Sequence, residues 1–245
     1  MGNTPKSKTS KSRTGTSRRE VVEAMRRQEK ATDRRRTILM VVVAVVVGLG
    51  IIAATAVPAL VKSANDPKKK SVASFGVAEA QAACSPVTTA NATGSGQHVD
   101  PGTHVDYATA PPSFGTHDGA YITDPRHFYT PRDRPPVEKV VHSLEHGYTV
   151  VWYDDTITGD SLKALQDLAV RMPEDKNPSR WFMVAPWTKD DVAKRGAFPE
   201  GKHVAFSHWG QTQGALQYCG AVSGEALAKF VDAHPYTDAP EPGGV

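Results

Sequence analysis

An unbroken apolar run constrains this chain more than any other feature. Ile38 to Val61 reads ILMVVVAVVVGLGIIAATAVPALV, 24 residues without a charge and with one hydroxyl, Thr55. At about 1.5 Å per residue, such a helix spans the roughly 30 Å hydrocarbon core of a bilayer with room to tilt. The run is far longer than the 7–15 apolar residues of a cleaved export signal, which favours a retained anchor. Cleavage stays the alternative, since Arg35-Arg36-Thr37-Ile38-Leu39 faintly resembles a twin-arginine signal and Ala-rich stretches follow.

Charge supplies an orientation. Residues 1–36 hold 12 Lys/Arg against 4 Asp/Glu, while residues 62–245 hold 17 against 22. Arg34, Arg35 and Arg36 abut the run, so the positive-inside rule puts the N-terminus in the cytoplasm and the C-terminal part outside. The basic tail carries no aromatic residues among its first 36. That suits contact with anionic lipid headgroups and speaks against a nucleic-acid-binding arm. The expected organisation is a basic cytoplasmic tail at 1–37, a transmembrane helix at 38–61 and a linker at 62–83. An extracytoplasmic domain follows at 84–235, then a flexible C-terminal tail at 236–245.

Cys84 and Cys219 are the only cysteines, and both lie beyond the apolar run. In an oxidising exterior a lone pair is most simply a disulfide. Two free thiols or metal-ligating thiolates are the other reading.

The second half of the outer region is patterned. Strands are expected at 147–153, 181–185 and 202–208, and amphipathic helices at 161–172 and 223–233. The fold class is therefore an α+β extracytoplasmic domain, a mixed sheet with helices packed on it, behind one N-terminal transmembrane helix.

Candidate chemistry lies with the nine histidines, all beyond the apolar run. The densest group is His142-Ser-Leu-Glu145-His146, followed by Gly147. Read as a helix, the apolar-periodic stretch Val137 to Leu144 stacks His142 and His146 on one face, with Gly147 as the residue that ends it. That spacing suits two imidazoles on one ion. It also matches the H-x-x-E-H pattern of inverted zinc proteases, in which the carboxylate, here Glu145, is the base. Pro111–His117 reads as a rigid turn presenting His117, and His98 and His104 precede it. His98, His117, His142 and His146 would complete a site for a zinc or copper ion. The competing reading is that these imidazoles bond backbone groups at a helix-to-strand turn. Glu145 is expected to orient a ligand ring, and His208 and Glu225 are more distant candidates.

The segments PPSFGTH (111–117) and VHSLEHGYTVVWY (141–153), with the closing helix near Cys219, resemble the bacterial family called domain of unknown function 3105. In that family the first motif usually reads PPTSGPH, so Phe114 and Thr116 depart from it while Gly115 and His117 match. The resemblance covers roughly residues 84–240. It implies a basic N-terminus, one membrane span and this outer domain, with His98, His117, His142 and His146 carried over, and no established activity.

Three functions follow from these residues. The first is a membrane-anchored module that binds a metal ion or an envelope protein partner through a histidine-lined face. The second is a metal-dependent hydrolase using Glu145. The third is a structural envelope protein. P-loop, nucleophile-elbow, dinucleotide-fingerprint and C-x-x-C patterns are absent from the sequence.

Overall fold

The computed structural model describes residues 14–123, 125–174 and 181–243. The first 13 residues of the basic tail and the last two of the chain lie outside them. The chain divides into two compact units, Met1–Ala64 and Asn65–Val245.

The first unit is one helix, α1, Thr14–Ala64. It continues the expected span without a break into the juxtamembrane residues. It is long and apolar enough to cross a membrane, and its apolar window buries nothing against the protein. The lone hydroxyl, Thr55, donates to the Ile51 carbonyl at 3.1 Å, so it presents no unsatisfied group to an apolar surrounding.

The second unit is α+β. Its main sheet has the order β1-β7-β6-β4-β5. The strands are β1 (Thr88–Asn91), β4 (Thr149–Tyr153), β5 (Phe182–Pro186), β6 (Val204–Trp209) and β7 (Gln213–Cys219). β4 and β5 run parallel and the other pairs antiparallel, giving the mixed sheet expected. A second, two-stranded sheet pairs β2 (His98–Val99) with β3 (His117–Asp118) in parallel.

Alternation along β4 explains the layers. Val151 and Tyr153 face one core with Leu165, Leu168, Phe206, Leu227 and Phe230, carried partly by α3 (Gly159–Arg171) and α5 (Gly224–Ala233). Val150 and Trp152 face the other, against Val140, Val141 and Leu144 of α2 (Val137–Glu145). Five consecutive buried residues in β4 fit a central strand covered on both faces. The four tryptophans Trp152, Trp181, Trp187 and Trp209 are all buried.

Three expectations need correction. First, the chain from Asn65 to Ala83 is part of the domain and not a linker. Val72 and Phe75 lie in the core, and the Val77 amide bonds the Val222 carbonyl at 2.8 Å. Gly224 allows this approach, because a Cβ there would run into the Val72 carbonyl. Second, the segment after Pro235 is docked where a loose tail was expected. Ala239 is fully buried, and the Glu241 and Gly243 amides bond the carbonyls of Glu145 and His146 at 3.1 and 3.2 Å. Third, from Gly147 onward the expected elements lack a helix and a strand, α4 (Lys189–Arg195) and β7.

The two cysteines form the expected disulfide. Cys84 and Cys219 are 135 residues apart in sequence, with Cα atoms 3.9 Å apart. The bond ties the residues just before β1 to the end of β7.

His208, on β6, is fully buried and faces His234 across 6.1 Å between ring centroids. Burial, then the charge of His234, pushes its pKa down to about 4, against the pull of Asp238 and a backbone contact with Tyr148. An unfolded histidine titrates near 6.5, so protons favour the unfolded chain. The stability contributed here is complete above about pH 6.5 and is lost as pH falls toward 4, by about 3 kcal/mol in all. Denaturant titrations of the unaltered chain and His208→Gln check this. The stability gap between them should narrow by about that amount from pH 7 to pH 4. A gap independent of pH would refute it.

Candidate metal centre

α2 begins after Pro135-Pro136, whose fixed backbone suits a helix entry. Val137, Val140, Val141 and Leu144 fill the core. On the neighbouring face His142 and Glu145 are buried, and His146 is the residue that closes the helix. Gly147 follows with φ +96, in the left-handed region where glycine is favoured. Its missing side chain also matters for packing, because a Cβ would meet the Tyr236 carbonyl oxygen. The helix end and the docked C-terminal segment are thereby brought together.

The short β2–β3 pair delivers the other two histidines. Its register sets His98 opposite His117. The His117 ring is fully buried, whereas the His98 side chain is 56% exposed. Ring centroids are 4.7 Å apart for His98 and His117, and 4.9 Å for His117 and His142. They are 4.8 Å apart for His142 and His146. The His98 and His142 rings are stacked at 5.4 Å and 3°. The structure thus brings together all four histidines picked out in the sequence. His104 is elsewhere, against Asp106 and Arg195. His208 sits by His234, and Glu225 accepts from the Glu79 amide.

The hydrogen bonds fix which nitrogen each ring offers. Nδ1 of His117 bonds the Gly115 carbonyl at 2.9 Å, and Nδ1 of His142 bonds the Asp118 carbonyl at 2.6 Å. Nδ1 of His146 bonds the Glu241 carbonyl at 3.0 Å. A carbonyl only accepts, so each Nδ1 carries the proton and each neutral ring keeps a lone pair on Nε2. The backbone-bonded reading of these histidines is therefore true of one nitrogen per ring; the other faces Glu145 in His117 and faces its neighbour in His142 and His146. Nε2 of His142 and Nε2 of His146 lie 2.9 Å apart. That distance is an N–H···N hydrogen bond when either ring carries a second proton, and a metal cation taking both lone pairs is the alternative.

Glu145 enters on the same side. Its Oε2 is 3.0 Å from His117 Nε2 and 3.7 Å from His98 Nε2. It accepts from the His117 ring as expected, but at Nε2, while main-chain carbonyls hold the Nδ1 atoms of His117, His142 and His146. Burial favours a higher Glu145 pKa, but the contact with His117 and the charges of His117, His142 and His98 outweigh it and hold the carboxyl below its usual range. Burial lowers the His142 pKa, helped by the nearby His117 and His146, against its bond to Asp118.

Space beside the rings is small. The cavity lined by Tyr121, His142, His146 and Tyr148 holds about 20 Å³, the scale of a single water. A cleft of about 640 Å³ lies apart, beyond the C-terminal ends of β4 and β5. Its walls include the buried ion pairs Arg134–Asp191 and Arg195–Glu138.

Comparison with known proteins gives a family and no activity. Searches of curated proteins and of solved structures give no match. The model of the family described as protein of unknown function DUF3105 matches residues 98–245, from the first histidine of the site through the docked C-terminal segment. With three-fifths of its length and all the clustered histidines inside that match, this chain belongs to the DUF3105 family.

Proposed function

We propose that this protein is a membrane-anchored, outward-facing module that holds a zinc or copper ion among His98, His117, His142, His146 and Glu145. The observation that carries it is the anchoring of three buried imidazoles by main-chain carbonyls, which turns their Nε2 lone pairs toward one another. Acceptors behind the ring are what metal-ligating histidines commonly have, since they fix both tautomer and orientation. Without a metal ion the close His142–His146 pair needs a bridging proton, so metal and proton compete for the same lone pairs.

The anchor and the disulfide support the location. The apolar run of α1 suits a single span, and a disulfide beyond it suits an oxidising exterior. Membrane lipid is then the partner of α1, its basic end lies in the cytoplasm, and nucleic acid has no place in the reading.

The hydrolase reading has less support. Glu145 contacts a ligand nitrogen, where a base would have to reach a water, and the space beside His142 and His146 does not admit an organic substrate.

Two experiments test anchor and metal. Protease added to intact spheroplasts should release the outer domain and spare the tail. Elemental analysis of the purified full chain should find about one zinc or copper per molecule, the ratio a single mononuclear site gives. A tail digested from outside would remove the topology. A protein free of metal after incubation with zinc and with copper would remove the site.

A further inference from the structure

The clustered side chains form two three-ligand sets with one member in common. His98, His117 and His142 each bring a ligand atom within 4.8 Å of the others, and so do His142, Glu145 and His146. His142 has a single nitrogen to give to both, because the Asp118 carbonyl occupies its Nδ1. One imidazole nitrogen has one lone pair and serves one ion at a time. The two sets are therefore two positions for one ion, and not a dinuclear centre.

The positions differ in access and in charge. The outer set consists of imidazoles only and contains His98, the exposed member of the cluster. The inner set is buried at all three residues and contains the Glu145 carboxylate. Glu145 already reaches toward the outer set, 3.0 Å from His117 Nε2. An ion on the outer set thus has a carboxylate oxygen beside it and a shared nitrogen to carry it inward.

Resting on the metal-binding reading above, we infer that His98 is an entry and exit ligand. A divalent ion is caught by the outer set and passed through His142 to the inner set, and it leaves by the reverse route. This makes the ion exchangeable cargo and not a permanent structural part, for which four closed protein ligands are the usual arrangement. Imidazole and carboxylate donors, without thiolate or thioether, fit zinc or cupric ion better than cuprous ion.

The test uses the full chain in detergent micelles, with cobalt(II) as a spectroscopic probe and zinc as competitor. The unaltered chain should bind one cobalt. His98→Ala should keep that ratio, with affinity within about threefold, and should slow both uptake and chelator-driven release by about tenfold or more, since a hand-over ligand changes rates and not the bound state. His146→Ala should do the reverse, with affinity falling about tenfold or more and exchange staying fast. Two cobalt ions per chain would overturn the inference. So would a His98→Ala protein with unaltered exchange rates, or one whose affinity falls as far as that of His146→Ala. Those outcomes leave metal binding itself intact. Failure of cobalt, zinc and cupric ion alike to bind the unaltered chain would overturn both readings.

Discussion

Serine at both Cys84 and Cys219 is expected to destabilise the outer domain by about 5 kcal/mol, from the loop entropy of a link spanning 135 residues. That is a large part of the 5–15 kcal/mol by which domains are usually stable. For a domain of this size it corresponds to a fall in Tm of about 10–20 °C. Thermal unfolding with and without reductant, and of the double-serine chain, measures it. A shift of a degree or two would mean that the unfolded chain is compact enough not to feel the link. The physical reason to expect more lies in what the bond closes. It holds the residues before β1 against the end of β7, where the Ser85 amide also bonds the Tyr218 carbonyl at 2.8 Å.

His142→Ala is expected to weaken zinc binding by at least about 100-fold, or about 2.7 kcal/mol, because it removes the one nitrogen common to both ligand sets. Changes at His98 or His146 each spare one set, so neither should cost as much. The substitution also leaves the Asp118 carbonyl without its donor, a penalty of about 1–3 kcal/mol in stability. Circular dichroism should therefore be recorded beside the titration, to show that the chain is folded. Affinity within threefold of the unaltered chain, in a folded protein, would remove His142 from the site.

Much of this was legible in the residues, for stated reasons. The Val137–Leu144 periodicity and Gly147 mark a helix and its stop, and the structure puts α2 there, so the H-x-x-E-H spacing does bring two imidazoles to one face. The β-branched and aromatic run before Asp154 marks β4. Other parts had no pattern to read. β7 begins Gln213-Gly214 and carries Gln217, which breaks the alternation of a half-buried strand. α4 has only seven residues, although the Thr188–Asp191 capping box at its start is a usable sequence signal. Val72 and Phe75 stand among alanines, serines and glycine in SVASFGVAEAQAA, without a period to reveal that they belong to the core. The part of the site that decides its chemistry was the least visible. The groups that fix the rings are the carbonyls of Gly115, Asp118 and Glu241, and main-chain oxygens leave no trace in residue type.

The Glu241 carbonyl has a consequence for when the site exists. A chain is synthesised from its N-terminus, so His98 emerges first, then His117, then His142 and His146. The acceptor that sets the His146 tautomer comes 95 residues after that ring. A nascent or truncated chain that stops short of residue 241 carries every ligand and still lacks the oxygen that aims one of them. On the proposed metal-binding reading, the His146 ring is aimed for an ion only once residue 241 has been made and has docked beside it.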